Sequence, residues 1–147
     1  MTTSTPYVPG AIRQFLRSID EYTTLCPADG IVTGDLPPGD ITAPFATITA
    51  PSNYGVDPML RRPLIQIDVW VPRWEILGGD VEPEELAWNI GDLGARLIHK
   101  ARQQKFRNCT WNAEWIDGPI TEVDRQRGVD LPLFRSITRF DVKVVVR

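Results

Sequence analysis

The apolar positions of the chain fall into two periods, and the switch between them sets the predicted elements. Ile12, Phe15, Leu16 and Ile19 recur at helical spacing, with Tyr22 or Thr23 continuing the face and Arg13, Gln14, Arg17, Ser18, Asp20 and Glu21 filling the other side. This predicts a first helix that starts near Pro9 or Gly10 and stops before Pro27. Ile31 to Thr33 reads as a short strand, and Leu36-Pro37-Pro38-Gly39-Asp40 as a break. Pro44 to Ala50 and Pro63 to Pro72 read as strands. In the second of these, Ile65, Ile67, Val69 and Val71 share one face, and Gln66, Asp68 and Trp70 share the other. The two strands are expected to form an antiparallel hairpin around a loop from Pro51 to Arg62.

Arg73 to Glu82 is expected to connect to a second helix, with Asp80 or Glu82 as its cap and Pro83 in its first turn. Leu86, Ile90, Leu93, Leu97 and Ala101 mark the buried stripe, widened by Ala87, Gly94 and Ile98. Glu84 and Glu85 suit the positive end of this helix, and Lys100, Arg102 and Lys105 the negative end. Gly91 and Gly94 weaken the helix intrinsically, so their use is expected to be close approach to a sheet or another helix. Cys109, Trp111, Ala113 and Trp115 then alternate with polar residues as a strand that Asp117-Gly118-Pro119 should end. A polar loop is expected from Ile120 to Pro132, and a last strand from Leu133 to Val146. The expected fold class is α+β, an antiparallel or mixed sheet of four to five strands with two helices packed on one face, in the order α-β-β-β-α-β-β. One domain covers residues 1–147, with residues 1–9 (Met1 to Pro9) as a flexible N-terminal arm.

Composition changes this picture little. The chain has 147 residues, 42% hydrophobic and 24% charged, enough for a core without metals or disulfides. Its net charge of −3 gives no general pull toward nucleic acid. The two cysteines, Cys26 and Cys109, are read as free buried thiols in a reducing, intracellular setting. Met1 to Gly10 lacks the apolar core of a signal peptide, and no apolar run reaches bilayer-spanning length, so no membrane partner is expected.

Candidate chemistry is sparse. His99 is the lone histidine, placed late in the second helix where the dipole favours it. One histidine and two distant cysteines do not make a zinc site. Gly78-Gly79-Asp80 lacks the Gly-Lys-Ser/Thr ending of a phosphate loop, and the acidic pairs Glu84–Glu85 and Glu114–Asp117 read as solvated charges. No catalytic set, cofactor or metal is therefore expected, and the chain reads as a non-enzyme. The candidate residues are in loops. Tyr54, Met59 and Leu60, and then Trp74, Ile76 and Leu77, are apolar where turn signals dominate; they either meet a partner or fold back on the core. Arg61, Arg62, Arg125 and Arg127 are either solvated loop charges or, in a ring of subunits, lumen residues facing DNA phosphates.

The succession PGAIRQFLRSIDEY, GIVTGDLPPGD, PFATITAP, LIQIDVWVP and PEELAWNIGDLGARLIHKA, followed by two strands, resembles the tail terminator, or tail completion, family of long-tailed bacteriophages. The resemblance runs over nearly the whole chain and is one of element order. It implies a structural virion protein that forms a ring, usually of six subunits, caps the tail tube, stops its elongation and joins it to the head–neck complex. The implied partners are further copies of the chain, the major tail tube protein, head–neck connector proteins, and DNA passing through the lumen without sequence-specific binding. The implied location is the virion tail or neck, after assembly in the host cytoplasm. The alternatives are another neck component, such as a head-closure or connector adaptor protein, and a small ligand-binding domain or enzyme.

Overall fold

A computed structural model describes residues 6–35, 37, 41–56, 60–125 and 132–146, with only the backbone of residues 54–56 and 60. The amphipathic N-terminal segment folds as two helices, α1 (Val8–Arg17) and α2 (Asp20–Leu25). Helix α1 takes in Val8 and Pro9, both buried, at the end of the span expected as an arm; residues 1–5 lie outside the described residues. The single expected helix is interrupted because Ile19 is extended. In an unbroken helix Tyr22 would sit on the flank of the apolar stripe. The break turns it fully into the core, where its ring lies 3.0 Å from the position a Cβ on Gly94 would occupy. The Arg17 guanidinium donates to the Ile31 carbonyl at 2.7 and 3.1 Å, tying α1 to the first strand.

The strands are β1 (Ile31–Thr33), β2 (Phe45–Val56), β3 (Leu60–Pro72), β4 (Gln104–Phe106), β5 (Cys109–Asp124) and β6 (Leu133–Val146). They form one sheet in the order β1-β2-β3-β6-β5-β4, with β1 parallel to β2 and every other pair antiparallel. The sheet is therefore mixed and six-stranded rather than four- or five-stranded. The unexpected strand, β4, is too short to show an alternation. Two more helices follow β3: α3 (Trp74–Leu77), inside the expected connection, and α4 (Pro83–Lys100). Glu82 occupies the N-cap of α4 but makes no side-chain cap bond, and Pro83 takes the first turn.

Two expected loops are strand in part. Residues 52–56 pair with 60–64, and a register shift between Thr49 and Ser52 absorbs Pro51. Asp117-Gly118-Pro119 likewise sits inside β5 between two register shifts, and Ile120 to Asp124 go on pairing with β6. Pro119 follows a cis peptide bond. Its missing N–H is tolerated because beyond Trp111 β5 is paired on one side only. Gly118 has φ +94, and a Cβ there would lie 2.3 Å from the Ile137 carbonyl oxygen, so only glycine fits.

One sheet face carries the helices. Ile48 from β2, Ile65, Ile67, Val69 and Val71 from β3, Trp111 and Ala113 from β5, and Phe140, Val142 and Val144 from β6 meet Ile12, Leu16, Ala87, Ile90 and Ile98 in one core. Phe15 meets Trp111 edge-on, with ring centroids 5.5 Å apart. A Cβ on Gly91 would lie 2.8 Å from Ser136 Oγ, and that hydroxyl donates to the Ala87 carbonyl at 2.7 Å. Both helix glycines thus serve close approach, Gly91 to the sheet and Gly94 to Tyr22.

Candidate functional site

Among the described residues no helix crosses the centre of the second face of the sheet, and the alternation of β3 and β6 fills it with charge. Arg135 is its hub. One guanidinium nitrogen donates to Asp68 Oδ2 at 2.6 Å and the other to Glu122 Oε1 at 2.7 Å. The guanidinium also lies over the Trp70 ring, 4.7 Å from its centroid. Trp70 in turn donates from its indole nitrogen to Thr47 Oγ1 at 3.1 Å. The amide of Gln66 donates to Asp68 Oδ1 at 2.9 Å, and its oxygen accepts from Arg139 Nε at 3.2 Å. Arg139 reaches Asp117 at 3.5 Å, and Arg62 pairs with Asp141 at 2.7 Å. Burial alone would lower the Arg135 pKa, but the hydrogen bonds and charges of Asp68 and Glu122 outweigh it and raise the pKa. Ile41, Leu133 and Phe45 close one end of this face around Trp70.

The interlocked arginines and carboxylates leave this face close to neutral locally. Such a surface presents hydrogen-bonding groups whose arginine charge is largely met by carboxylates, with Lys143 exposed beside them, and so holds phosphates only weakly. The buried thiols contribute no chemistry to it. Burial pushes Cys26 from 9.0 up to about 12. It also raises Cys109, against a smaller lowering effect from the Phe106 backbone. Both cysteines are free, buried and protonated at neutral pH.

The residues singled out in the sequence fall in different places. Trp74 and Ile76 are exposed on α3, and Leu77 is partly buried against the core. The indole of Trp74 is pinned by donating to the Gly79 carbonyl at 2.7 Å. Met59 lies outside the described residues, as do the side chains of Tyr54 and Leu60. Arg61 sits in β3 rather than a loop and binds Asn53, through Oδ1 at 3.3 Å and the carbonyl at 2.9 Å. Arg62 sits in the same strand, paired with Asp141. Neither is a bare solvated loop charge. Arg125 is exposed just past β5, and Arg127 lies outside the described residues. His99 is exposed near the end of α4, and its Nδ1 accepts the Trp115 backbone N–H at 3.4 Å. It thereby covers part of the unpaired edge of β5, beside Arg102, which donates to the Ala113 carbonyl at 3.4 Å.

The sequence reading missed two groups. Arg135, Asp68 and Trp70 were legible as polar members of apolar strands, but their convergence depends on the β3–β6 register that sets Trp70 opposite Arg135. The exposed apolar residues Trp88, Ile116, Ile120 and Val123 lie on α4 and β5, where periodicity alone suggests burial or a loop.

No protein-family model matches the chain, and no curated protein does. Among solved structures, a chain from the virion of a native gene transfer agent particle superposes with a TM-score of 0.53 at 13% identity, over 92% of this chain and 94% of that one. The α+β architecture described above is therefore shared, nearly end to end, with a virion chain.

Proposed function

We propose that this protein is a structural subunit of a phage-like virion, and specifically a tail terminator. In this reading it caps the tail tube as a ring, stops tube elongation and offers a surface to the head–neck complex. The observation that carries the reading is the near end-to-end likeness to a chain of a gene transfer agent virion. The order of elements in the sequence, with its likeness to the terminator family, narrows it from virion subunit to terminator. The locally near-neutral open face suits a wall along which DNA slides. Arg62 on β3 belongs to that wall; Arg61, which alternation turns to the opposite face of the strand, is assigned with Arg125 and Arg127 to the margin of the lumen. Tyr54, Met59, Leu60, Trp74, Ile76 and Leu77 are assigned to contacts with a neighbouring subunit or the tube.

The experiment is to add the purified protein to tail tube protein as it polymerises and to measure tube lengths by negative-stain electron microscopy. Short tubes with a cap of extra density at one end are expected. Tubes that grow to unlimited length with no cap at either end would overturn the terminator role.

A further inference from the structure

Charge along α4 and its flanks is segregated. Every charged residue from Glu75 to Asp92 is acidic: Glu75, Asp80, Glu82, Glu84, Glu85 and Asp92. Every charged residue from Arg96 to Arg107 is basic: Arg96, Lys100, Arg102, Lys105 and Arg107. The 18-residue helix puts about 27 Å between its two ends, while the innermost members of the two sets, Asp92 and Arg96, pair with each other at 3.0 Å. A helix dipole accounts for Glu84, Glu85 and Lys100. It does not account for Glu75 and Asp80 before the helix, or for Arg102, Lys105 and Arg107 after it.

The acidic pole is also apolar. A groove of about 440 Å³ runs between α3, the start of α4 and the beginning of β6, with Trp74, Pro83, Pro132 and Phe134 among its walls and three carboxylates, Glu75, Glu82 and Glu84, against one cation, Arg73, in its lining. Beside it, a second hollow of about 330 Å³ lies against Trp88, Glu84 and Glu85. Two exposed indoles, Trp74 and Trp88, thus lie beside a surplus of glutamates, the ring faces and carboxylates that attract guanidinium or ammonium groups.

The basic pole ends in a tip of matching kind. Arg107 lies in the turn between β4 and β5 with φ +51, a region where glycine is the ordinary occupant. Its guanidinium lies over the Phe106 ring, 4.7 Å from the centroid, and Lys105 is exposed beside it. The chain thus carries a long cation where turn geometry alone would favour glycine.

We infer that the groove at the start of α4 receives the Arg107 hairpin tip of a second copy of this chain. The contact joins two different patches, so it repeats head to tail and either closes into a ring or grows open-ended. Only the expectation of closure rests on the proposed ring; the contact itself rests on the two poles.

The test is sedimentation of the full chain over a concentration series at about 50 mM and about 500 mM salt, where screening lengths differ severalfold. Association is expected at low salt, with a dissociation constant at least about tenfold weaker at high salt. Arg107→Glu with Lys105→Glu, and separately Glu82→Lys with Glu84→Lys, should each abolish it. Mixing the two doubly substituted proteins should restore it, because each then offers the pole the other lacks. Arg107→Gly removes the charge while easing the turn, so it should stay folded by circular dichroism and still lose association. A wild-type chain monomeric at low salt up to about 1 mM would overturn the contact. So would an assembly indifferent to both reversals, or a mixture that fails to restore it. If the contact holds and tail tubes still grow unchecked, the terminator reading fails alone. If all variants cap tubes equally, the contact fails alone.

Discussion

On the helix side of the sheet, Trp111, Ile65 and Val142 have at most 1% of their surface exposed, and the helix glycines let backbone and sheet meet at contact distance. On the other side, Gln66, Asp68, Arg135 and Arg139 meet through hydrogen bonds and charge. The same strands, β3 and β6, supply both sides. Alternation therefore divides one pair of strands between two tasks: one side excludes water and holds the fold, and the other holds polar groups in fixed positions. Sensitivity to substitution should follow that division.

The largest effect is expected from removing a large side chain on the helix side. Trp111→Ala deletes the partner of Phe15 and leaves a cavity beneath α1, at a cost of about 3–5 kcal/mol in urea unfolding. On the far side of the sheet, Lys143→Ala truncates an exposed side chain and should change stability by no more than about 0.5 kcal/mol. Equal losses at the two positions would break the division.

The helix side should also set the alkaline limit of stability. Cys26 has an ordinary value of 9.0 and is raised to about 12 by burial. Above pH 9 the unfolded chain releases this proton while the folded chain keeps it. Its contribution to stability is therefore complete below pH 9 and lost as pH rises toward 12, at about 1.4 kcal/mol per pH unit. Tyr22, raised by its burial and then by the charge of Cys26, steepens the loss above pH 10. Denaturant melts at successive pH values should show this slope, and Cys26→Ala should reduce it between pH 9 and 10, leaving the smaller part that buried Cys109 contributes. A slope unchanged by that substitution would place the alkaline limit elsewhere.

On the open face, the most consequential single group is Arg135. Arg135→Met keeps much of the volume over Trp70 but leaves the largely buried Asp68 carboxylate without its cation. Loss of a partner from a buried ion pair is costly, and partial exposure of Arg135 reduces the cost to about 1–3 kcal/mol. Replacing Asp68 by Asn in the same chain should recover part of that loss, because the uncompensated charge is then gone. Failure of the second substitution to recover anything would show that packing on Trp70, not charge, is what Arg135 supplies.

Much of this division was legible in the sequence. The alternation of Ile65, Ile67, Val69 and Val71 against Gln66, Asp68 and Trp70 is a local property, as is the stripe from Leu86 to Ala101. The sequence misled where tertiary context overrides a local signal. Pro51 and Gly118-Pro119 are turn residues by chemistry, yet each sits in a bulge of a long strand, because pairing with a neighbouring strand continues past it. Ile19 breaks a helix that periodicity would continue, because the break buries Tyr22 against α4. The ladder on the open face was least legible, since Asp68 and Arg135 are joined only by register.

The smallest effect predicted for an ion pair sharpens the comparison within the open face itself. Arg62 and Asp141 make an ion pair as short as that of Arg135 and Asp68, at 2.7 against 2.6 Å. Their surroundings differ: the Arg62 side chain is 48% exposed and that of Arg135 23%. Water screens the first pair and competes for its hydrogen bonds, so Arg62→Ala should cost no more than about 1 kcal/mol and less as salt rises. A double-mutant cycle on each pair isolates the coupling from the separate costs of truncation. The Arg135–Asp68 cycle should give the larger coupling and keep it in high salt, while the Arg62–Asp141 coupling should fade. Equal couplings with equal salt dependence would mean that distance, rather than burial, sets the strength of these pairs, and the open face would then be uniform from end to end.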